Sequence, residues 1–458
     1  MNINLSSYKS IYFLGIGGIG MSALARYFKS RGFYVNGYDK TQTPLTDNLV
    51  NEGIGVHFED LGSNVKELVG ELNESLIVLT PAIPVDMKEW NWLKENGYTI
   101  LKRSEVLGVI TQHSKGLCVA GTHGKTTTST LLAYILTHTG HECNAFLGGI
   151  SSNYNTNYLP SLTSDYTVIE ADEFDRSFLR LSPFASVITS TDPDHLDIYG
   201  DEANFLEGFQ QYANLIYKEG VLVLKKGLKL TSNAIIKTYA INEEADFVGS
   251  NLRVENGFQV FDVSFENHTW ENVILGLPGI HNAENALACI AMCHFLGLTE
   301  EEIRNGLASF KGVKRRFEYH VRDKDCVYID DYAHHPTEIR SLISSVRFLY
   351  PNQKLTVVFQ PHLFSRTKDF MEGFAIELAK VDELILMPIY PARELPLEGI
   401  TSDVLKDKIP KTKVSILSHN EVVERFMNDN NGIFLTVGAG DIDRLVQPLK
   451  QQFLANLG

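Results

Sequence analysis

The stretch LCVAGTHGKTTTSTLLAYILTHTG, residues 117–140, decides the fold class. Its first four residues read as a buried strand, and its last fifteen as an amphipathic helix closed by Gly140, a residue suited to the left-handed cap. Between them lies Gly121-Thr122-His123-Gly124-Lys125-Thr126-Thr127-Thr128, with the chemistry of a phosphate-binding loop. In such a loop backbone N–H groups cradle phosphates, the lysine reaches terminal phosphate oxygens, and the next hydroxyl holds Mg²⁺. The strict pattern has glycine six residues before the lysine. Val119 stands there, so the loop is a shortened variant.

The same alternation recurs on both sides. IYFL (11–14), LIVLT (76–80), YTVIE (166–170), SVITS (186–190), VLVL (221–224), LTVVFQ (355–360), LILMPI (384–389) and IFLTV (433–437) read as buried strands. Helix-period stretches such as MSALARYFKSRG (21–32) lie between many of them. Strands alternating with helices imply mainly parallel sheets covered on both faces. Residues 247–270 differ: FVGSNLRVENGFQVFDVSFENHTW predicts short strands with tight turns, a small antiparallel insertion. Three segments, near 11, 117 and 327, each open with a strand and a functional-looking turn. The expectation is an α/β chain of three domains: Rossmann-like over 1–107, a central P-loop-type ATPase domain over 108–315, and Rossmann-like again over 316–458.

Composition bounds the function. The chain has 458 residues, 44% apolar or aromatic and 21% charged, which excludes a disordered chain. A net charge of −15 argues against a surface that neutralises duplex nucleic acid. No apolar run approaches the roughly 18–20 residues of a membrane span. MNINLSSYKS lacks the charged and apolar regions of a signal peptide, so none is expected. The five cysteines, Cys118, Cys143, Cys289, Cys293 and Cys326, are odd in number and set in apolar surroundings. Reduced thiols in a cytoplasmic protein are the expectation. Cys289 and Cys293 are spaced for one helix face, where core thiols are favoured over a metal pair because no second ligand pair flanks them.

Gly15-Ile-Gly17-Gly18-Ile-Gly20 follows the strand IYFL and opens a helix, and Asp39 ends the next strand. Glycines there let the backbone approach a pyrophosphate at a helix amino terminus, and the carboxylate can reach ribose hydroxyls. A nucleotide or sugar nucleotide is expected; nothing else supports nicotinamide chemistry. Strand YTVIE ends at Glu170, within Glu170-Ala-Asp172-Glu173-Phe-Asp175, and strand SVITS runs on to Asp192-Pro-Asp194-His195. Parallel strand ends share one edge of a sheet, so Glu170 and His195 are candidate magnesium ligands at the loop, whereas Asp175 reads as a solvated turn residue. Asn282 and Asn285 are spaced for one helix face and offer the paired donor and acceptor that adenine's edge requires, with Asn282 an equally good N-cap. Lys314-Arg315-Arg316-Phe317-Glu318, Asp330-Asp331-Tyr332-Ala-His334-His335-Pro336 and Pro361-His362-Leu-Phe-Ser365-Arg366 each place ligand-type groups beside a strand. For His334 and His335, substrate contact or turn structure is favoured over a second metal.

In order along the chain, GIGGIGM, TPAIP, GTHGKTTT, EADEFD, DHLD, HNAEN, KRRFE, DDYAHHPTE, FQPHLFSRT, YPARE and GAGD resemble the Mur ligases, ATP-dependent amide-forming enzymes of bacterial peptidoglycan precursor assembly. The resemblance implies ATP and Mg²⁺, with UDP-N-acetylmuramate and L-alanine as substrates and a monomer or weak homodimer as the state. It implies that Gly121, Thr122, His123, Gly124, Lys125, Thr126 and Thr127 hold ATP phosphates, with Thr126, Glu170 and His195 on magnesium. Asn282, Asn285, Arg316 and Asp331 would bind the adenosine end, and Gly15, Gly17, Gly18, Gly20, Asp39 and Arg103 the UDP-sugar. Thr122, His123, Tyr332, His335 and Arg366 would surround the reacting carboxylate and amino acid; Lys125, His195, His335 and Arg366 carry the catalytic expectation. Leu363 stands where the family often has a second arginine, which leaves one substrate-anchoring contact open. A neighbouring branch attaches a whole peptide to the same sugar nucleotide. The compact EADEFDRSFLRLSPF and the PHLFSRT motif favour the alanine-adding branch. The remote alternative is a regulatory protein gated by a nucleotide.

Overall fold

The computed structural model describes residues 3–194, 196–255, 258–392, 394–410, 413–427 and 431–457. The chain forms two compact units. One comprises Met1–Asn251, Phe261–Ile274 and Glu284–Lys311; the other comprises Leu252–Val260, Leu275–Ala283 and Gly312–Gly458. Every strand named from the sequence is present, with ends moved by at most three residues.

The first unit opens with a five-stranded parallel sheet. Its spatial order is Gly55–His57, Tyr34–Tyr38, Ser10–Leu14, Ser75–Leu79, Thr99–Lys102. Ser10–Leu14 is central and buried throughout, and the chain leaves it on both sides. Its carboxyl end is therefore the switch point at which doubly wound sheets bind ligands, and the glycine run lies there.

The second sheet has ten strands. Lys115–Ala120 lies between Tyr166–Glu170 and Pro183–Ile188, parallel to both, so the phosphate-type loop also leaves a switch point. Phe247–Glu255, Phe258–Phe265 and His268–Leu275 follow in turn at one edge. The last two are neighbours joined only by Glu266 and Asn267, a hairpin link, as the alternating pattern predicts. The insertion is not a separate body, however. It extends the central sheet through Ile235–Ile241, which pairs parallel with Val221–Lys225 and with Phe247–Glu255.

The expected boundary near 107 falls within the helix Arg103–Gln112. One apolar cluster passes through it, from Ile11 and Phe28 by Val106 and Leu107 to Cys118, Ile169, Phe178, Phe209 and Tyr212, all buried. Burying each large side chain of this kind contributes about 1.5–3 kcal/mol. Cys289 and Cys293 are free and fully buried, core thiols as expected.

The second unit carries a six-stranded sheet in the order Glu318–Arg322, Cys326–Asp331, Gly432–Val437, Leu355–Phe359, Glu383–Leu386, Lys413–Ile416. All pairs are parallel except the first, which is antiparallel and contains a bulge. Among the described residues no helix is long and apolar enough to cross a membrane.

Candidate functional site

The helix Lys125–His138 starts at Gly124, whose φ of +81° is left-handed, and no side chain caps it. Its first N–H groups are thus left for a ligand, at the end where the dipole favours an anion. A methyl group at Gly124 would stand 2.8 Å from Asn285 Oδ1, so this asparagine lies against the loop. Gly121, at φ +127°, passes so close to Thr189 and Ser190 that a side chain would collide with both. These two residues fix the loop. Ser190 Oγ accepts the His123 N–H at 2.9 Å, Thr189 Oγ1 donates to the His123 carbonyl, and Thr122 Oγ1 donates to the Asp192 carbonyl at 2.7 Å. Sequence reasoning missed Thr189 and Ser190; their signal was their place at the end of the strand beside the loop.

Lys125 Nζ donates to the Gly121 carbonyl at 2.7 Å and to both oxygens of Glu173 at 2.8 and 2.7 Å. Burial alone would push the ammonium down, but Glu173, with Glu170 and Asp172 beyond it, holds it above the ordinary lysine range. Glu173 was not singled out from sequence, because one acidic residue among four carries no mark of being the buried one. Asp175 is the solvated residue expected, half-exposed and 3.2 Å from Lys102. His195 lies outside the described residues.

Glu170 ends its strand with Gly148 packed directly on its carboxylate. It lines a cleft of about 140 Å³ with Ile19, Gly20, Arg103, Gly148 and Asp172 among its walls. Arg103 bridges that cleft. Its Nη2 lies 3.5 Å from Asp172, and its Nη1 lies 2.6 Å from where a side chain on Gly20 would begin. The cleft thus joins the amino end of the helix Ile19–Ser30 to the carboxyl end of Tyr166–Glu170. At the glycine run, Gly15 has φ +89°, and Gly18 is the N-cap of that helix, again with no side-chain cap. Asp39 Oδ2 accepts the Gly17 N–H at 2.8 Å and Oδ1 accepts the Thr41 N–H at 3.1 Å. Asp39 therefore holds the loop's shape as well as presenting a carboxylate there.

In the second unit, Asp331 Oδ2 accepts the Phe317 N–H at 2.7 Å and Oδ1 the Ala333 N–H at 2.8 Å. Arg315 and Phe317 are left-handed, at φ +62° and +51°, so Asp331 pins a strained turn that carries Arg316. Burial pushes the Asp331 carboxyl up to about 6, against the pull of Arg316. Both Arg315 and Arg316 lie 5.2 Å from the centre of the Tyr332 ring. His335 is the N-cap of the helix Pro336–Leu349: its Nδ1 accepts the Thr337 N–H at 3.3 Å, and its ring meets Phe370. His334 Nδ1 lies 2.9 Å from the Tyr332 carbonyl. Arg366 Nη1 lies 3.3 Å from His362 Nδ1, and burial, followed by Arg366, pushes His362 down to about 4. Leu363 has φ +68°, uncommon for a branched side chain. Asn282 lies inside its helix and donates to the Pro278 carbonyl at 2.7 Å, so it is not the N-cap.

An uncapped glycine loop at the middle of one parallel sheet, and a second at the middle of another, define an α/β protein that handles phosphorylated ligands. Family models match three successive segments: the Mur ligase family catalytic domain over residues 10–115, the Mur ligase middle domain over 119–293, and the glutamate ligase domain of Mur ligases over 315–440. The chain belongs to the Mur ligase family. It is 47% identical over 454 residues to the UDP-N-acetylmuramate–L-alanine ligase of Cytophaga hutchinsonii, covering 98% of this chain and 97% of that one. To the ligase of the same name from Porphyromonas gingivalis it is 49% identical over 449 residues, covering 97% and 98%. The crystal structure of the UDP-N-acetylmuramate–alanine ligase of Thermotoga maritima superposes with a TM-score of 0.84 at 28% identity, over 97% of this chain and 99% of that one. A murein peptide ligase from Psychrobacter arcticus shares the fold, with a TM-score of 0.68 at 22% identity over 96% and 99%.

Proposed function

We propose that this chain joins L-alanine to the carboxylate of UDP-N-acetylmuramate, with ATP as co-substrate and an acyl phosphate as intermediate. The observation that carries the reading is the cleft in which Arg103 links Gly20 to Asp172, with Glu170 in the same wall, because it joins the glycine-run end and the end of the strand beside the phosphate-type loop within one unit. Near-full-length likeness to ligases of that name supports the choice of substrates.

A carboxylate does not condense with an amine near neutral pH, because oxide would have to leave. In the proposed reaction a carboxylate oxygen of the sugar attacks the γ-phosphorus, the bond to the β–γ bridging oxygen breaks, and ADP departs. The amine of alanine then attacks the acyl carbon. A proton leaves the nitrogen, the tetrahedral intermediate collapses, and inorganic phosphate is released. The protein's part is positioning and charge neutralisation.

Lys125 and the N–H groups after Gly124 take the terminal phosphates, with Gly121, Thr122, His123, Thr126 and Thr127 completing the loop. Glu170 and Thr126 are hard oxygen donors, at a strand end and in a helix's first turn, and suit Mg²⁺. When bound, the ion neutralises phosphate charge. Gly15, Gly17, Gly18, Gly20, Asp39 and Arg103 hold the UDP-sugar. Asn282, Asn285, Arg316 and Asp331 are assigned to adenosine, and Tyr332, His335 and Arg366 to the carboxylate and amino acid.

The test is mass spectrometry of the protein incubated with ATP, Mg²⁺, UDP-N-acetylmuramate, a mixture of amino acids and a mixture of muropeptides. The alanine adduct is expected. A peptide adduct in its place would assign the chain to the peptide-adding branch, and ATP hydrolysis indifferent to both acceptors would make it a nucleotide-gated protein.

A further inference from the structure

The antiparallel pair that opens the six-stranded sheet holds a cluster that the proposed reaction leaves unused. Glu318 pairs with Asp330 and Tyr319 with Ile329, but Val321 pairs with Tyr328, so His320 is the extra residue of a β-bulge. Bulges re-aim side chains. Here the result is that a ligand atom from each of Glu318, His320 and Asp330 lies within 4.8 Å of the other two.

Three observations separate this cluster from an ordinary surface group of charges. The side chains are nearly out of solvent: Asp330 is 0%, His320 8% and Glu318 20% exposed. His320 Nε2 is fully buried, has no hydrogen-bond partner among the described residues, and lies 3.6 Å from Glu318 Oε2, too far for a hydrogen bond. The carboxylates keep lone pairs to spare: Asp330 accepts from Arg315 Nε at 3.1 Å and from Thr436 Oγ1 at 2.6 Å, and Glu318 Oε2 accepts the Arg315 N–H at 2.8 Å, whereas each carboxylate has about four acceptor sites.

We propose that Glu318, His320 and Asp330 form a second, structural cation site for a zinc-class dication, which ties the edge strand Glu318–Arg322 to Cys326–Asp331. One imidazole and two carboxylates are the nitrogen–oxygen donor set such an ion takes, with water in the fourth position. The ion would satisfy the orphaned ring nitrogen. Arg315 on Asp330, and Lys314 and Lys450, whose charges reach His320, set the affinity below that of a site without neighbouring cations.

The test uses the full-length protein, stripped of metal and titrated with Zn²⁺ against a chromophoric chelator in a large excess of Mg²⁺. Wild type is expected to bind one more equivalent than His320→Gln, and Zn²⁺ should raise its melting temperature but not that of the variant. Glu318→Gln is the second variant, in case His320→Gln fails to fold, and should lose the same equivalent. Equal stoichiometry in wild type and both variants, or an unchanged melting temperature with Zn²⁺, overturns the proposal. Neither readout depends on ligase activity.

Discussion

Lys125 Nζ lies 2.8 and 2.7 Å from the two carboxylate oxygens of Glu173, a side chain 2% exposed. The loop's lysine is thus held by a buried carboxylate that offers the charge and geometry a phosphate would offer. If Lys125 takes the ATP phosphates as proposed, they displace one partner of a formed pair rather than fill an open position.

This pair separates stability from turnover. Lys125→Ala strands a buried carboxylate and is expected to lower unfolding free energy by about 3–5 kcal/mol, as well as abolishing turnover. Lys125→Ala with Glu173→Gln should recover most of the stability and none of the turnover. Urea denaturation beside a phosphate-release assay checks both; turnover in either variant would remove Lys125 from the phosphate site.

The two glycine loops can be disabled one at a time. Gly124→Ala places a side chain at φ +81°, 2.8 Å from Asn285 Oδ1, and should weaken ATP binding at least tenfold with little change in UDP-sugar affinity. Gly17→Ala would put a methyl group 2.8 Å from both Asp39 Oδ2 and Thr46 Cγ2, and the reverse pattern is expected. Calorimetric titration of each variant with each ligand reads the difference.

Asp331 gives the proposed ATP site a pH dependence. With its carboxyl pushed up to about 6 by burial, the acceptor form prevails only above that pH, so the KM for ATP should rise as pH falls through 6. Asp331→Asn should flatten that profile. For stability the sign is opposite. A folded value above the unfolded one, about 4, means that protonation between pH 6 and 4 favours the fold. Weaker ATP binding at pH 5 is therefore not a sign of unfolding.

Glu383 behaves the other way. Burial would push its carboxyl up, but hydrogen bonds from Lys354, Lys413 and Arg425, at 2.7, 3.0 and 2.9 Å, pull it down to about 2. A depressed folded value means stability present above pH 4.5 and lost as pH falls towards 2. Glu383→Gln should cost about 2 kcal/mol at pH 7, a figure reduced for the partial exposure of the three cations. The gap to wild type should close across that acid window in denaturant titrations.

Much of this was legible because parallel strands buried on both faces leave unbroken apolar runs, and because turns that need left-handed backbone need glycine. Tyr166–Glu170 was readable to the residue for the first reason, and Gly121 and Gly124 for the second. Glu173 and His320 were not legible. Their importance comes from burial and from a one-residue register shift, and neither leaves a periodic trace. The extension of the central sheet by Ile235–Ile241 escaped for a related reason. Its exposed and half-buried positions dilute the apolar run that marks a strand.

The apolar cluster that crosses residue 107 also bears on how much of the interior can be completed while the chain is still being made. When the first hundred residues emerge, Ile11, Phe28 and Leu76 still lack Ile169, Phe178 and Phe209, which lie far downstream. The nascent segment can bury Tyr12, Leu14, Val65, Ile77 and Leu93 among themselves, but the cluster that holds Ile11 and Phe28 is still incomplete. A gene cut at the end of the first family segment, residue 115, is therefore expected to encode a fragment that leaves Val106, Leu107 and Ile110 without their downstream cluster partners and that aggregates more readily than the whole chain.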